Sequence, residues 1–140
     1  MARFDQVASC TSSLAWTRQV FAGSAADDIT APAHIASYAC HFNPGIGRDA
    51  LGDLSNHIRG VMGASDAFKG YASYGLVPIT GDADRPDYVV FNVTDDAQGW
   101  ATGQKAIYTT EGGQSLLRHF NTILDCSTAI WTGERVIGEG

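Results

Sequence analysis

An apolar run that breaks at Asn43-Pro44-Gly45 and restarts as a helix constrains this chain more than any other feature. Ile35 to Phe42 alternates in the two-residue rhythm of a strand. Tyr38, Cys40 and Phe42 share one face; Ser37, Ala39 and His41 share the other. Pro44 cannot donate to a ladder and ends the strand. From Asp49, an N-cap or first-turn acid, the period changes. Leu51, Leu54, Ile58, Val61 and Met62 recur at spacings of three and four, one stripe of a helix. Gly52 and Gly60 weaken that helix by up to ~1 kcal/mol each relative to alanine, so its stability must come from packing.

A second beat follows. Phe68 to Ile79 reads as a strand carrying Tyr71, Tyr74, Leu76 and Val77, and Thr80 to Pro86 as a polar loop of hairpin type. Tyr88 to Val93 is the third strand, with Val89, Phe91 and Val93 on one face and Tyr88, Val90 and Asn92 on the other. Asp95-Asp96 opens a helix from Ala97 to Ile107. Tyr108 to Gly113 interrupts it, and Gln114 to Ile123 resumes with Leu116, Leu117, Phe120 and Ile123 as its stripe. Cys126 to Trp131 is the fourth strand. Ahead of all this, residues 1–34 form an extension. Ser12 to Ala22 fits a strand or a short helix equally, and Gly23 to Pro32 reads as a loop.

The order β-α-β-β-α-β defines an α+β domain over residues 35–140, of ferredoxin-like topology. Right-handed crossovers put both helices on one face of a four-stranded antiparallel sheet. The other face is bare and half apolar, which is costly in water. Such a face calls for a second copy or a ligand.

Composition narrows the partners. The 140 residues carry nine Lys and Arg against fifteen Asp and Glu, a net charge of −6, and the few cations are scattered. Nucleic acid is excluded, because phosphate binding needs a clustered basic face. Charged residues make up 17%, below the usual quarter or so, in keeping with a surface partly buried in a partner. Cys10, Cys40 and Cys126 form no C-x-x-C pair, so free cytosolic thiols are expected. Without a leader-like block or a long apolar stretch, the expectation is a soluble, cytoplasmic chain with no membrane contact. Asn92-Val93-Thr94 matches a glycosylation sequon by chance on that reading.

If the helices cover Tyr38, Cys40, Phe42, Val89, Phe91, Val93, Thr128 and Ile130, then His41, Asn43, Tyr88, Asn92, Ser127 and Trp131 point to the bare face. Aromatics with a few amides and one imidazole suit a flat, partly polar organic ligand. A slip of one residue in strand phase would exchange the two faces. Plain readings stand beside these. His41 near a strand end is more often structural than a base. Asn43 before Pro44 is a turn residue, and Trp131 is packing. His57 is a solvated or capping side chain, and Arg118 faces solvent within reach of a pocket mouth. The four histidines have no metal-ligand spacing, Gly45-Ile46-Gly47 is no phosphate loop, and no Gly-x-Ser-x-Gly elbow occurs.

From Ile35 to Ile137 the pattern resembles the dimeric α/β-barrel superfamily, in its antibiotic-biosynthesis monooxygenase-like branch. The resemblance lies in the strand ending at Asn43-Pro44-Gly45, a helix containing His57, Val89-Val90-Phe91-Asn92-Val93 as third strand, Thr94 to Gln98 leading into a helix, and a last strand at Cys126–Trp131. It implies a homodimer whose sheets face each other, and a small-molecule enzyme acting on an aromatic or polyketide-like substrate. Some members oxidise polycyclic phenols to quinones with O2, using neither metal nor flavin. In those members the third strand carries an asparagine, matched here by Asn92, and a Trp-Glu-Ser-type pattern closes it. That tryptophan is missing; Trp100 comes several residues later, inside the helix. On this resemblance, and with no cofactor expected, His41 would be the base and Asn92 would steady the developing charge. Asn43, Tyr88, Trp131 and Arg118 would bind substrate. A non-catalytic or cyclase-like ligand-binding dimer, and a structural dimerisation module, are the alternatives.

Overall fold

The computed structural model of the protein describes residues 14–81 and 83–133; Cys10 and both ends of the chain lie outside them. The elements run β1 (Ala15–Ala22), β2 (Ala33–Phe42), α1 (Ala50–Gly63), β3 (Ala72–Pro78), β4 (Tyr88–Thr94), α2 (Ala97–Thr109), α3 (Glu111–Ile123) and β5 (Leu124–Gly133). All strand pairs are antiparallel, in the order β1-β3-β4-β2-β5. The last four make the ferredoxin-like sheet. Asp96 caps the start of α2 by accepting from the Gly99 N–H, and Thr110 serves both helices at their junction, donating its hydroxyl to the Ala106 carbonyl of α2 and accepting from the Gly113 N–H of α3.

The sheet has five strands rather than the expected four. Ala15–Ala22, assigned to an extension, pairs with β3 as the edge strand, from Ala15 opposite Pro78 to Ala22 opposite Ala72. The register shifts between Gln19 and Phe21, so Val20 and Phe21 both pack on the core. This irregularity is why the apolar residues there fit neither period.

The face assignment also changes. Residues directly opposite on paired strands share a face. Tyr38 lies opposite Val90 and Cys40 opposite Tyr88. Tyr38 and Cys40 do turn toward the helices, but Tyr88, Val90 and Asn92 go with them, and Val89, Phe91 and Val93 occupy the bare face. β4 is the central strand and apolar on both sides, so alternation alone could not set its phase. On β5, Leu124 and Cys126 join the core, whereas Thr128 and Ile130 are exposed, because the helices do not reach that end of the strand.

Cys40 and Cys126 are bonded as a disulfide, with their Cα atoms 4.0 Å apart. This corrects the expectation of free thiols. A separation of 86 residues concealed that the two are direct cross-strand neighbours. Among the described residues no helix is long and apolar enough to cross a membrane.

Candidate functional site

Between the sheet and its helices lies a cavity of about 140 Å³. The strands supply Tyr38, Tyr88, Val90 and Asn92, α1 supplies Ile58 and Met62, and α3 supplies Leu116 and Phe120. Glycines make room for two of its aromatic walls. A Cβ at Gly75 would run into the Tyr88 hydroxyl, and one at Gly103 into that of Tyr71. Tyr71 is further held by donating to the Trp100 carbonyl at 2.6 Å. Burial raises the Tyr71 and Tyr88 phenols above the usual tyrosine range, although Arg18 pulls Tyr88 the other way.

One end of this cavity is polar. The buried Ser73 hydroxyl donates to Oδ1 of Asn92 at 2.6 Å, which fixes the amide with its nitrogen free to donate elsewhere. That side chain lies near the Tyr38 hydroxyl, where it opposes the effect of burial on the phenol. Nε2 of Gln104 approaches the same oxygen at 3.5 Å. Burial raises the Tyr38 phenol, against the smaller opposing effect of the nearby Trp100, Asn92 and Gln104 side chains, so it is protonated at neutral pH. With only the Gln104 nitrogen at the edge of hydrogen-bonding distance from its oxygen, the Tyr38 proton remains for an acceptor in the cavity. The Trp100 indole stands beside Tyr38, and its N–H is buried without a partner among the described residues. The His34 ring packs 5.5 Å from the Trp100 ring, and its Nε2 is likewise buried and unpartnered. Tyr108 lines the cavity next to this pole and is 60% exposed, so the pole lies near the mouth.

Of the six candidate residues, Asn92 and Tyr88 line this cavity, reached from the helix-covered face rather than the bare one. The other four lie elsewhere. His41 is exposed on the bare face, its Nδ1 3.5 Å from Asp87. Asn43 donates to the Asn121 and Thr122 carbonyls at 2.8 and 3.0 Å, closing the C-terminal end of α3. Arg118 is exposed on α3. Trp131, also on the bare face and 56% exposed, donates to Ser37 Oγ at 2.8 Å. Tyr38, Ser73, Gln104 and Tyr108 were not singled out from the sequence. A cluster spread over β2, β3, β4 and α2 leaves no local spacing to find; only the helix-facing phase of Tyr38 hinted at it. His57, expected in solvent, has its Nδ1 2.9 Å from Nδ1 of His119, tying α1 to α3. The described residues contain no group of three metal-ligating side chains.

No family model matches the chain, and no curated protein matches it. Four solved chains do, among them these two. One is a dimeric ferredoxin-like protein of unknown function from Thermobifida fusca YX, 15% identical, with a TM-score of 0.54 over 71% of this chain and 90% of that one. The other is SnoaB, a cofactor-independent oxygenase from Streptomyces nogalater, 9% identical, with a TM-score of 0.55 over 78% of this chain and all of that one. At these identities the likeness shows the ferredoxin-like α+β fold.

Proposed function

We propose that this protein encloses a small aromatic molecule between its sheet and helices and oxidises it with O2, as a cofactor-independent oxygenase acting on a phenol. The observation that carries the reading is the buried polar pole of Tyr38, Asn92 and Gln104 in an otherwise apolar cavity. The SnoaB likeness supports it as an analogy of fold.

The phenol oxygen sits at this pole and accepts from the neutral Tyr38 hydroxyl and the Asn92 amide. Donors that favour the anion lower the substrate's own pKa. The described lining residues include no carboxylate and no imidazole, so the proton leaves to water beside Gln104 and Tyr108. His41, on the opposite face, does not act as the base. The phenolate passes one electron to O2, and the phenoxyl and superoxide radicals join at the ring carbon para to oxygen. The proton given up to water returns to the outer peroxide oxygen, and the para proton and hydroxide then leave as the O–O bond breaks. Phenol and O2 yield p-quinone and water, and the books of atoms and electrons close.

The second reading is a ligand-binding domain without turnover, favoured by that same lack of a base in the lining. Oxygen consumption separates the two. The oxygenase reading expects O2 uptake and quinone absorbance from a panel of para-unsubstituted phenols, lost in Asn92→Ala. Binding with no O2 uptake across the panel leaves only the second reading. The bare sheet face further supports a homodimer, as in the dimeric Thermobifida neighbour.

A further inference from the structure

We propose that the cavity takes single-ring, uncharged phenols and turns away both fused-ring aromatics and phenols bearing a second, anionic group. This rests on the cavity being the ligand site and adds the class of guest it accepts.

Size is the first argument. A closed apolar cavity of about 150 Å³ holds benzene. At about 140 Å³ this one matches a single ring with little to spare. A second fused ring would have to move wall residues or stand out into solvent through the mouth beside Tyr108.

The walls resist that. Tyr71 is 1% exposed, hydrogen-bonded to the Trp100 carbonyl and pressed against Gly103; Phe68 meets its edge with ring centroids 5.3 Å apart. Tyr88 is 4% exposed and lies over Gly75. Interiors packed this closely do not open by small rotations. The side that can yield is the α3 wall, where Leu117 and Phe120 are only half-buried.

Charge and polarity give the second argument. None of the lining residues is charged; Ser73, Asn92 and Gln104 gather at the Tyr38 end, while the Tyr88 hydroxyl lies over Gly75. One oxygen can be met there. A carboxylate elsewhere on the ring would be stripped of water against Ile58, Met62 and Leu116 with nothing to pair it. The expected guest therefore has one hydroxyl and an apolar remainder.

Isothermal titration of the full chain with four probes tests this: 3-methylphenol, 1-naphthol, anthrone and 3-hydroxybenzoate. The expected result is one 3-methylphenol per chain, 1-naphthol at least tenfold weaker, and no binding of the other two. Phe120→Ala, with folding checked by circular dichroism, should improve 1-naphthol binding at least tenfold and leave 3-hydroxybenzoate excluded. Wild-type protein binding 1-naphthol or anthrone as tightly as 3-methylphenol would overturn the proposal, as would failure to bind any phenol. If 3-methylphenol binds as expected but consumes no O2, the size and charge selection stands and the oxygenase reading falls. If anthrone binds and is oxidised, the reverse holds.

Discussion

Ser73 donates its hydroxyl proton to Oδ1 of Asn92 at 2.6 Å, so a serine on β3 decides which end of the asparagine amide is left to donate. Ser73→Ala removes that lock and leaves a buried acceptor unpaired, a cost of about 1–3 kcal/mol. The amide is then able to flip. We expect lower stability in urea and about tenfold weaker 3-methylphenol binding. Asn92→Asp keeps the shape and the Ser73 bond but replaces a donor by an acceptor, and should weaken binding further. Unchanged affinity in both variants would remove Asn92 from the site.

The buried phenols predict an alkaline limit to stability. Tyr38, Tyr71 and Tyr88 are all raised by burial above the ordinary value near 10. Above about pH 10 the unfolded chain loses phenolic protons that the folded chain keeps, so unfolding is increasingly favoured. The stabilisation is fully present below pH 10 and is lost as pH rises through the folded values. The urea midpoint should be flat from pH 8 to 9.5 and fall steeply by pH 11. Phenolate absorbance near 295 nm should rise cooperatively with unfolding. A midpoint unchanged at pH 11 would contradict the burial argument.

Gly103 and Gly60 offer a paired test, because both sit inside helices. A Cβ at Gly60 meets nothing within 4 Å, whereas one at Gly103 strikes Tyr71. Helix propensity alone favours alanine at each by up to ~1 kcal/mol. Gly60→Ala should therefore stabilise by about 0.5–1 kcal/mol. Gly103→Ala should destabilise by about 1–3 kcal/mol through overpacking and shrink the cavity as Tyr71 is displaced. Two thermal melts decide it. Equal signs would mean that Tyr71 does not rest on α2.

The Cys40–Cys126 bond closes a loop across a separation of 86 residues. Chain-entropy reasoning gives a loop of that length about 4–5 kcal/mol, and disulfides in proteins typically contribute about 2–4 kcal/mol. Alkylation of unreduced, denatured protein should spare two of its three cysteines, identified as Cys40 and Cys126 by peptide mass. Reduction should lower the urea midpoint. Labelling of both residues without reductant would exclude the bond.

The strand-and-helix beat from Ile35 onward was readable because each element has a strong local period and a clear stop, such as Asn43-Pro44-Gly45. The ferredoxin-like order followed from it. Three things were hidden, each non-local. The edge strand Ala15–Ala22 was obscured by its own irregularity near Val20. The phase of β4 was obscured because Val89-Val90-Phe91 is apolar on either side. The site was obscured because Tyr38, Ser73, Asn92 and Gln104 meet only after folding. Asn92 was singled out by the strand period and by a resemblance, and placed on the bare face, whereas its side chain turns toward the helices. Trp100, several positions away from where that resemblance wanted a tryptophan, stands beside Tyr38 from α2.

The two faces of the sheet should be separable by mutation. Phe91 lies on the bare face of the central strand, opposite Ser37 on one side and Tyr74 on the other. Around it Ile35, Leu76, Val89 and Val93 are only half-buried. A second copy laid on this surface would cover them, and a charge at its centre would be stranded in the contact. Phe91→Lys should therefore convert a dimer into a monomer in light scattering at micromolar concentration. The cavity opens on the other face, so 3-methylphenol binding by the variant should stay within about twofold of the parent. A wild-type monomer at that concentration, or a dimer undisturbed by the lysine, would mean that the sheets do not meet face to face. Loss of phenol binding on dissociation would mean that the second copy shapes the cavity, joining the two faces in one function.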